Sequence, residues 1–169
     1  RVAKYDSNGT FVKSWGEFGS GAGQFNLPHA IVIDADDNVY VGDRTNHRVQ
    51  VFDTDGNFKR MFEVDTPPDP STRAVNGNTP TGDALKRMIG APNALCIPPT
   101  NRKVMFLGES TFPGRIFKLD LEGHVLGVIG KSGRNLGEFS GAHALACPTE
   151  NLIYVAETSN WRVQKVILK

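Results

Sequence analysis

The sequence has no apolar run near the roughly 18–20 residues that would carry a helix across a bilayer, so no helical membrane span is expected. It has only two cysteines in 169 residues. That is too few for a disulfide framework or a cysteine-rich zinc site. It lacks a charge excess of either sign: 19 Lys and Arg stand against 18 Asp and Glu, for a net charge of +1. A general polyanion binder needs a strongly basic face, so no nucleic-acid partner is expected. Sustained helical periodicity is also missing, and only Asp83–Ile89 has room for a single turn. The N-terminus, Arg1 to Asp6, has neither the pattern of a signal peptide nor that of an ordinary domain start, and it is expected to lie inside a longer fold.

What the chain does have is punctuation. Its 18 glycines and 10 prolines follow no collagen period and read as turn residues. They separate short β-rich runs, and those runs repeat. Shifted by 114 positions, residues 1–55 lie on 115–169 without a gap, and 16 of the 55 pairs are identical. The identities include Asp6/Asp120, Phe25/Phe139, His29/His143 and Tyr40/Tyr154. They also include Asn46/Asn160 and Arg48-Val49-Gln50 on Arg162-Val163-Gln164. A weaker copy lies between, with Pro92-Asn93-Ala94 on Pro28-His29-Ala30 and Phe106–Glu109 on Tyr40–Asp43.

Each unit reads as four strands, represented by His29–Ile33, Val39–Asp43, Arg48–Asp53 and Phe58–Glu63 with Asp/Asn/Gly turns between most of them. Repeated four-stranded units point to an all-β propeller. The parse places two strands of a first blade in 1–16, a second blade in 28–64, an insertion in 65–90, a third blade in 91–130 and three strands of a fourth in 142–169. That makes about three and a quarter blades. Because closed propellers have about four to eight blades, the expected completion is a further half-propeller or another copy of the chain.

The run Phe11-Val12-Lys13-Ser14-Trp15-Gly16, then Gly23-Gln24-Phe25-Asn26-Leu27-Pro28-His29, then Asn38-Val39-Tyr40-Val41 and Asn46-His47-Arg48-Val49-Gln50-Val51-Phe52-Asp53 resembles the NHL repeat, whose family forms six-bladed propellers. Pro28-His29 opening a strand, Asp43-Arg44 closing the next and Asn46-x-Arg48-Val49-Gln50 after it are similar to peptidyl-α-hydroxyglycine α-amidating lyases, matching their C-terminal half. That resemblance implies zinc held by three histidines at the inner strands. His29 and His143 would be two of them, and Arg44 a substrate-site arginine. The third histidine and a catalytic tyrosine would lie upstream of Arg1, so this chain alone is expected to be incomplete for catalysis. It also implies calcium, with no ligands assignable here, a small peptide substrate and a secreted or extracytoplasmic location. The chain departs from the lyase pattern at Ala142 and Ala144, where proline and aspartate flank the last histidine. The alternative is a non-catalytic NHL scaffold that binds a protein, peptide or glycan on one rim.

The physics of a propeller gives these residues a common address. Strands alternate direction, so the start of the innermost strand and the end of the next share one rim. His29, His143 and Arg44 are therefore expected to face the same end of the central channel, with Asn93 at the equivalent place in the blade between. Neutral imidazoles suit Zn²⁺, and an arginine suits a carboxylate. Asp43 and Arg73 are further rim and loop candidates. Residues 66–86, rich in proline, join a fourth strand to the next first strand on that same rim, as a lid or as a tolerated surface loop. Asp34–Asn38 lacks the glycine and late glutamate of a calcium loop and reads as a hairpin turn. Trp15 and Trp161 read as packing between blades. Cys96 and Cys147 fall one position out of phase in neighbouring strands, so their side chains are expected on opposite faces and unbonded.

Overall fold

The computed structural model describes all 169 residues, Arg1–Lys169. Two strands, β1 (Val2–Tyr5) and β2 (Phe11–Trp15), form the first antiparallel sheet. A short parallel pair, β3 (Glu17–Phe18) with β4 (Gln24–Phe25), folds the following loop against itself. The second sheet is a four-stranded meander of β5 (Pro28–Ile33), β6 (Val39–Asp43), β7 (Arg48–Phe52) and β8 (Phe58–Glu63). After the insertion, with its single-turn helix α1 (Gly82–Lys86), a third sheet runs through β9 (Pro92–Cys96), β10 (Val104–Glu109), β11 (Ile116–Asp120) and β12 (Val125–Ile129). The fourth holds β13 (Ala142–Thr149), β14 (Leu152–Glu157) and β15 (Arg162–Ile167). The innermost strands β5, β9 and β13 neighbour one another in turn. The fold is the expected all-β propeller arrangement of four-stranded blades.

Local sequence explains the meanders. Asp6, Asp34, Asp53 and Asp120 each use one carboxylate oxygen to accept the backbone N–H groups two and four residues later. The residue third after each aspartate takes positive φ: Gly9, Asp37, Gly56 and Gly123. This is an Asx-type turn whose left-handed position glycine fills best. Asp34 spends its second oxygen on the Asn38 amide and the Tyr40 hydroxyl, so the 34–38 segment is a hairpin turn.

The blades pack face to face. Within the third blade, Leu95, Met105, Leu107, Phe117 and Leu119 turn toward the second blade and meet Tyr40, Val49 and Val51. Cys96, Phe106 and Ile116, at alternate positions, turn toward the fourth and meet Ala142, Ile153 and Val155. Strand alternation therefore builds two cores from one sheet.

That geometry overturns the expectation for the cysteines: Cys96 and Cys147 form a disulfide with Cα atoms 6.1 Å apart. They do sit on opposite faces of their own sheets. In stacked blades those two faces are the ones that meet, so being one position out of phase brings the sulfurs together. The tryptophans part company. Trp15 packs on Phe52, ring centroids 6.1 Å apart, whereas Trp161 is 83% exposed and does not join a blade interface.

Candidate functional site

A repeated polar clamp positions the rim. In the second blade Asp43 closes β6, fully buried. One of its oxygens accepts the Asn26 and Leu27 N–H groups, and the other accepts Asn46 Nδ2 and Arg48 Nε at 2.7 and 3.1 Å. The Arg48 guanidinium donates onward to the Ser20, Gly21 and Gln24 carbonyls, and Gln50 pairs with the Gly23 N–H and the Gln24 carbonyl. The fourth blade repeats this through Glu157, Asn160, Arg162 and Gln164, holding the Arg134, Asn135 and Glu138 carbonyls and the Gly137 N–H. In the third blade Glu109 and Arg115 tie down Gly90 and the Thr66 and Pro67 carbonyls at the base of the insertion. Every loop that enters an inner strand is held this way, which satisfies backbone groups that would otherwise be stranded. Asp43 thus serves the clamp and does not face the rim.

The clamp sets the start of each inner strand. Pro28 pairs with Asp43 across the first two strands of the second blade, which places His29 and Arg44 at one edge. His29 and His143, from blades two apart, meet with ring centroids 4.9 Å apart and planes at 72°. His29 Nδ1 lies 2.7 Å from the backbone oxygen of Asn93 and donates to it, which leaves Nε2 as the free lone pair. Burial pulls the His29 pKa below the ordinary histidine value, and the nearby His143 and Arg44 push the same way against the Asn93 hydrogen bond. The shift favours the neutral imidazole.

Asn93 lies between the two histidines in the ring of strands. Its side-chain Nδ2 donates to the Ala142 carbonyl at 2.9 Å, while its buried Oδ1 has no partner. Arg44 donates from Nη2 to Ser110 Oγ at 2.9 Å. Arg73 lies apart, in the insertion, with its guanidinium on the Pro70 and Thr72 carbonyls. No three His, Cys, Asp or Glu side chains gather in the chain. Sequence reasoning brought His29, His143, Arg44 and Asn93 to one rim. It missed Ser110, although Ser110 follows Glu109 as Arg44 follows Asp43.

Residues 25–52 match the family model described as the NHL repeat. The chain contains an NHL repeat. The human NHL repeat-containing protein 3 is 50% identical over 47 residues, 27% of this chain and 14% of that protein. The Xenopus laevis peptidyl-glycine alpha-amidating monooxygenase B is 32% identical over 100 residues, 50% of this chain and 11% of that protein. The chain therefore spans a small part of either relative. A Bacteroides thetaiotaomicron protein of unknown function superimposes with a TM-score of 0.65 at 16% identity, over 98% of this chain and 41% of that one. That likeness speaks for the propeller fold alone.

Proposed function

We propose that this chain contributes two zinc ligands, His29 and His143, and a carboxylate-binding arginine, Arg44, to a peptidyl-α-hydroxyglycine amidating lyase. The observation that carries this reading is the meeting of two imidazoles from blades two apart, with the tautomer of one set by the Asn93 carbonyl. A histidine whose other nitrogen is committed to a backbone carbonyl is oriented as metal ligands are. Two imidazoles fill half of a tetrahedral shell, so the remaining ligands come from outside the pair. A bound zinc supplies Lewis acidity and a water acidic near neutral pH.

In the reaction the C–N bond of the hydroxyglycine breaks, the hydroxyl proton is lost as its carbon becomes the aldehyde of glyoxylate, and the nitrogen gains a proton as the peptide amide. Arg44 is suited to hold the glyoxylate-side carboxylate through charge-assisted hydrogen bonds. The disulfide supports an oxidising, extracytoplasmic compartment for this reading. Support also comes from the similarity to the amidating monooxygenases.

The test is zinc binding by calorimetry on the longer protein in which the resemblance places the third histidine. His29→Ala and His143→Ala should each remove the saturable zinc site that Trp161→Ala keeps. Equal zinc binding by all three variants refutes the site. A second reading, a rim that binds a protein without catalysis, is favoured by the exposure of Trp161 at 83% and Leu136 at 89%. It takes over if the zinc test fails.

A further inference from the structure

The insertion does more than cross the rim. Three cavities of about 380, 260 and 350 Å³ adjoin beneath it. The first and second share Met88, and the second and third share Ala74 and Val75. Through these shared residues they lie in series along the insertion, as a segmented groove. Arg44, His47, Arg87 and Ser110 line one end. Val75, Pro80, Met88 and Phe112 form an apolar middle, edged by the amides of Asn76 and Asn78 and the hydroxyls of Thr111 and Ser140. Arg73, Lys131 and Arg134 line the far end beside Ser132.

The charges in this groove are one-sided. Glu138 is the one acid in its lining, and it sits 3.7 Å from Lys131. None of the four arginines is paired with a carboxylate: Arg44 rests on the Ser110 hydroxyl, Arg73 on two carbonyls, and Arg134 on the Asn76 side-chain oxygen. Asp69, outside the lining, is turned to Ser71. Ser132 Oγ is buried with no partner, in a residue 6% exposed. Unpaired guanidinium groups at both ends with apolar surface between complement a ligand with the inverse pattern.

We propose that the groove binds an extended acidic peptide, with a terminal carboxylate at Arg44 and Arg87, an apolar residue over Met88 and Phe112, and an acidic side chain at Arg73 and Arg134. The proposal rests on the peptide-ligand reading above and names the peptide class. The groove is polar where a peptide backbone needs partners, charged where its acids need them, and apolar between. The insertion supplies Arg73 and Arg87, so it acts as a specificity element.

The test is fluorescence anisotropy on the full chain with a labelled peptide, Glu-Glu-Ser-Leu-Val-Ser-Gly, its Gln-Gln analogue and its C-terminal amide. It is run in EDTA at about 20 mM salt, where screening is weak. The acidic peptide should bind about tenfold more tightly than either neutralised form. Arg134→Ala should erase the preference for Glu over Gln while keeping that for carboxylate over amide, and Arg87→Ala should do the reverse. Equal binding of the three peptides, no binding of any, or preferences unchanged in both variants overturns the proposal. Because the peptide carries no hydroxyglycine and the assay no zinc, this outcome is independent of the lyase reading.

Discussion

Removing the Cys96–Cys147 bond tests whether the blade interface is organised as described. The bond closes a loop with a sequence separation of 51 residues. On the chain-entropy model, a loop of that length restricts the unfolded state by about 4 kcal/mol. Both cysteines are buried, at 8% and 5% exposure, so the double variant Cys96→Ala/Cys147→Ala also loses packing, in the same direction. For a domain of this size about 4 kcal/mol corresponds to a fall of about 8–16 °C in Tm. Circular dichroism melts and urea titrations of the oxidised chain, the double variant and the chain with two titrated thiols after reduction measure the effect. The double variant should melt somewhat below the reduced chain, which loses the cross-link but keeps both sulfur atoms in the core. Hydrogen exchange should then rise first in β13–β15, which the bond ties to the third blade, and least in β5–β8. A Tm change under about 2 °C, or exchange rising equally in all blades, would refute this account of the interface.

The clamp makes a second prediction. Arg48→Ala leaves the buried Asp43 carboxylate without its cation and should cost about 3–5 kcal/mol in urea unfolding, whereas Lys4→Ala, from an exposed pair with Asp55, should cost under about 1 kcal/mol. His29 makes a third. Its pKa is lowered on folding, so the unfolded chain binds more protons in the window below about 6.5, and stability should fall as pH drops through it. His29→Gln should flatten that dependence, and an NMR titration placing the His29 ring at or above the ordinary histidine value would contradict the cause assigned.

The 114-residue repeat made the fold legible because each blade carries its own turns and its own clamp, and both are local patterns. Asp-x-x-Gly spacing marks the hairpins, and Asn46-x-Arg48-Val49-Gln50 marks the third strand of a blade. The histidine pair was legible because equivalent positions in a propeller converge on the axis. The disulfide was not. Alternation tells which face a residue occupies within its sheet, but whether two faces meet depends on how sheets stack, which no local pattern records. The parallel β3–β4 pair arises from a loop gathered by Arg48 and Gln50 from across the blade. The groove was hidden for a similar reason. Arg87 and Arg44 are separated by 43 positions, and the path of a proline-rich insertion is set by the Arg115 grip on the Thr66 and Pro67 carbonyls.

The clamp also divides labour among neighbouring positions. The acid that closes the second strand of a blade and the arginine that opens the third are committed inward, whichever blade they occupy. The position just after the acid is not. It is Arg44 in one blade, Ser110 in the next and Thr158 in the last, and the first two already touch. Likewise the residue before the clamp arginine is His47 in one blade and Trp161 in another, both in left-handed backbone. Substitutions at these outward positions can change what the rim recognises while the inward set keeps the blades intact. A propeller built this way can vary its rim blade by blade, because the residues that fold it and the residues that face outward are adjacent in sequence but chemically separate.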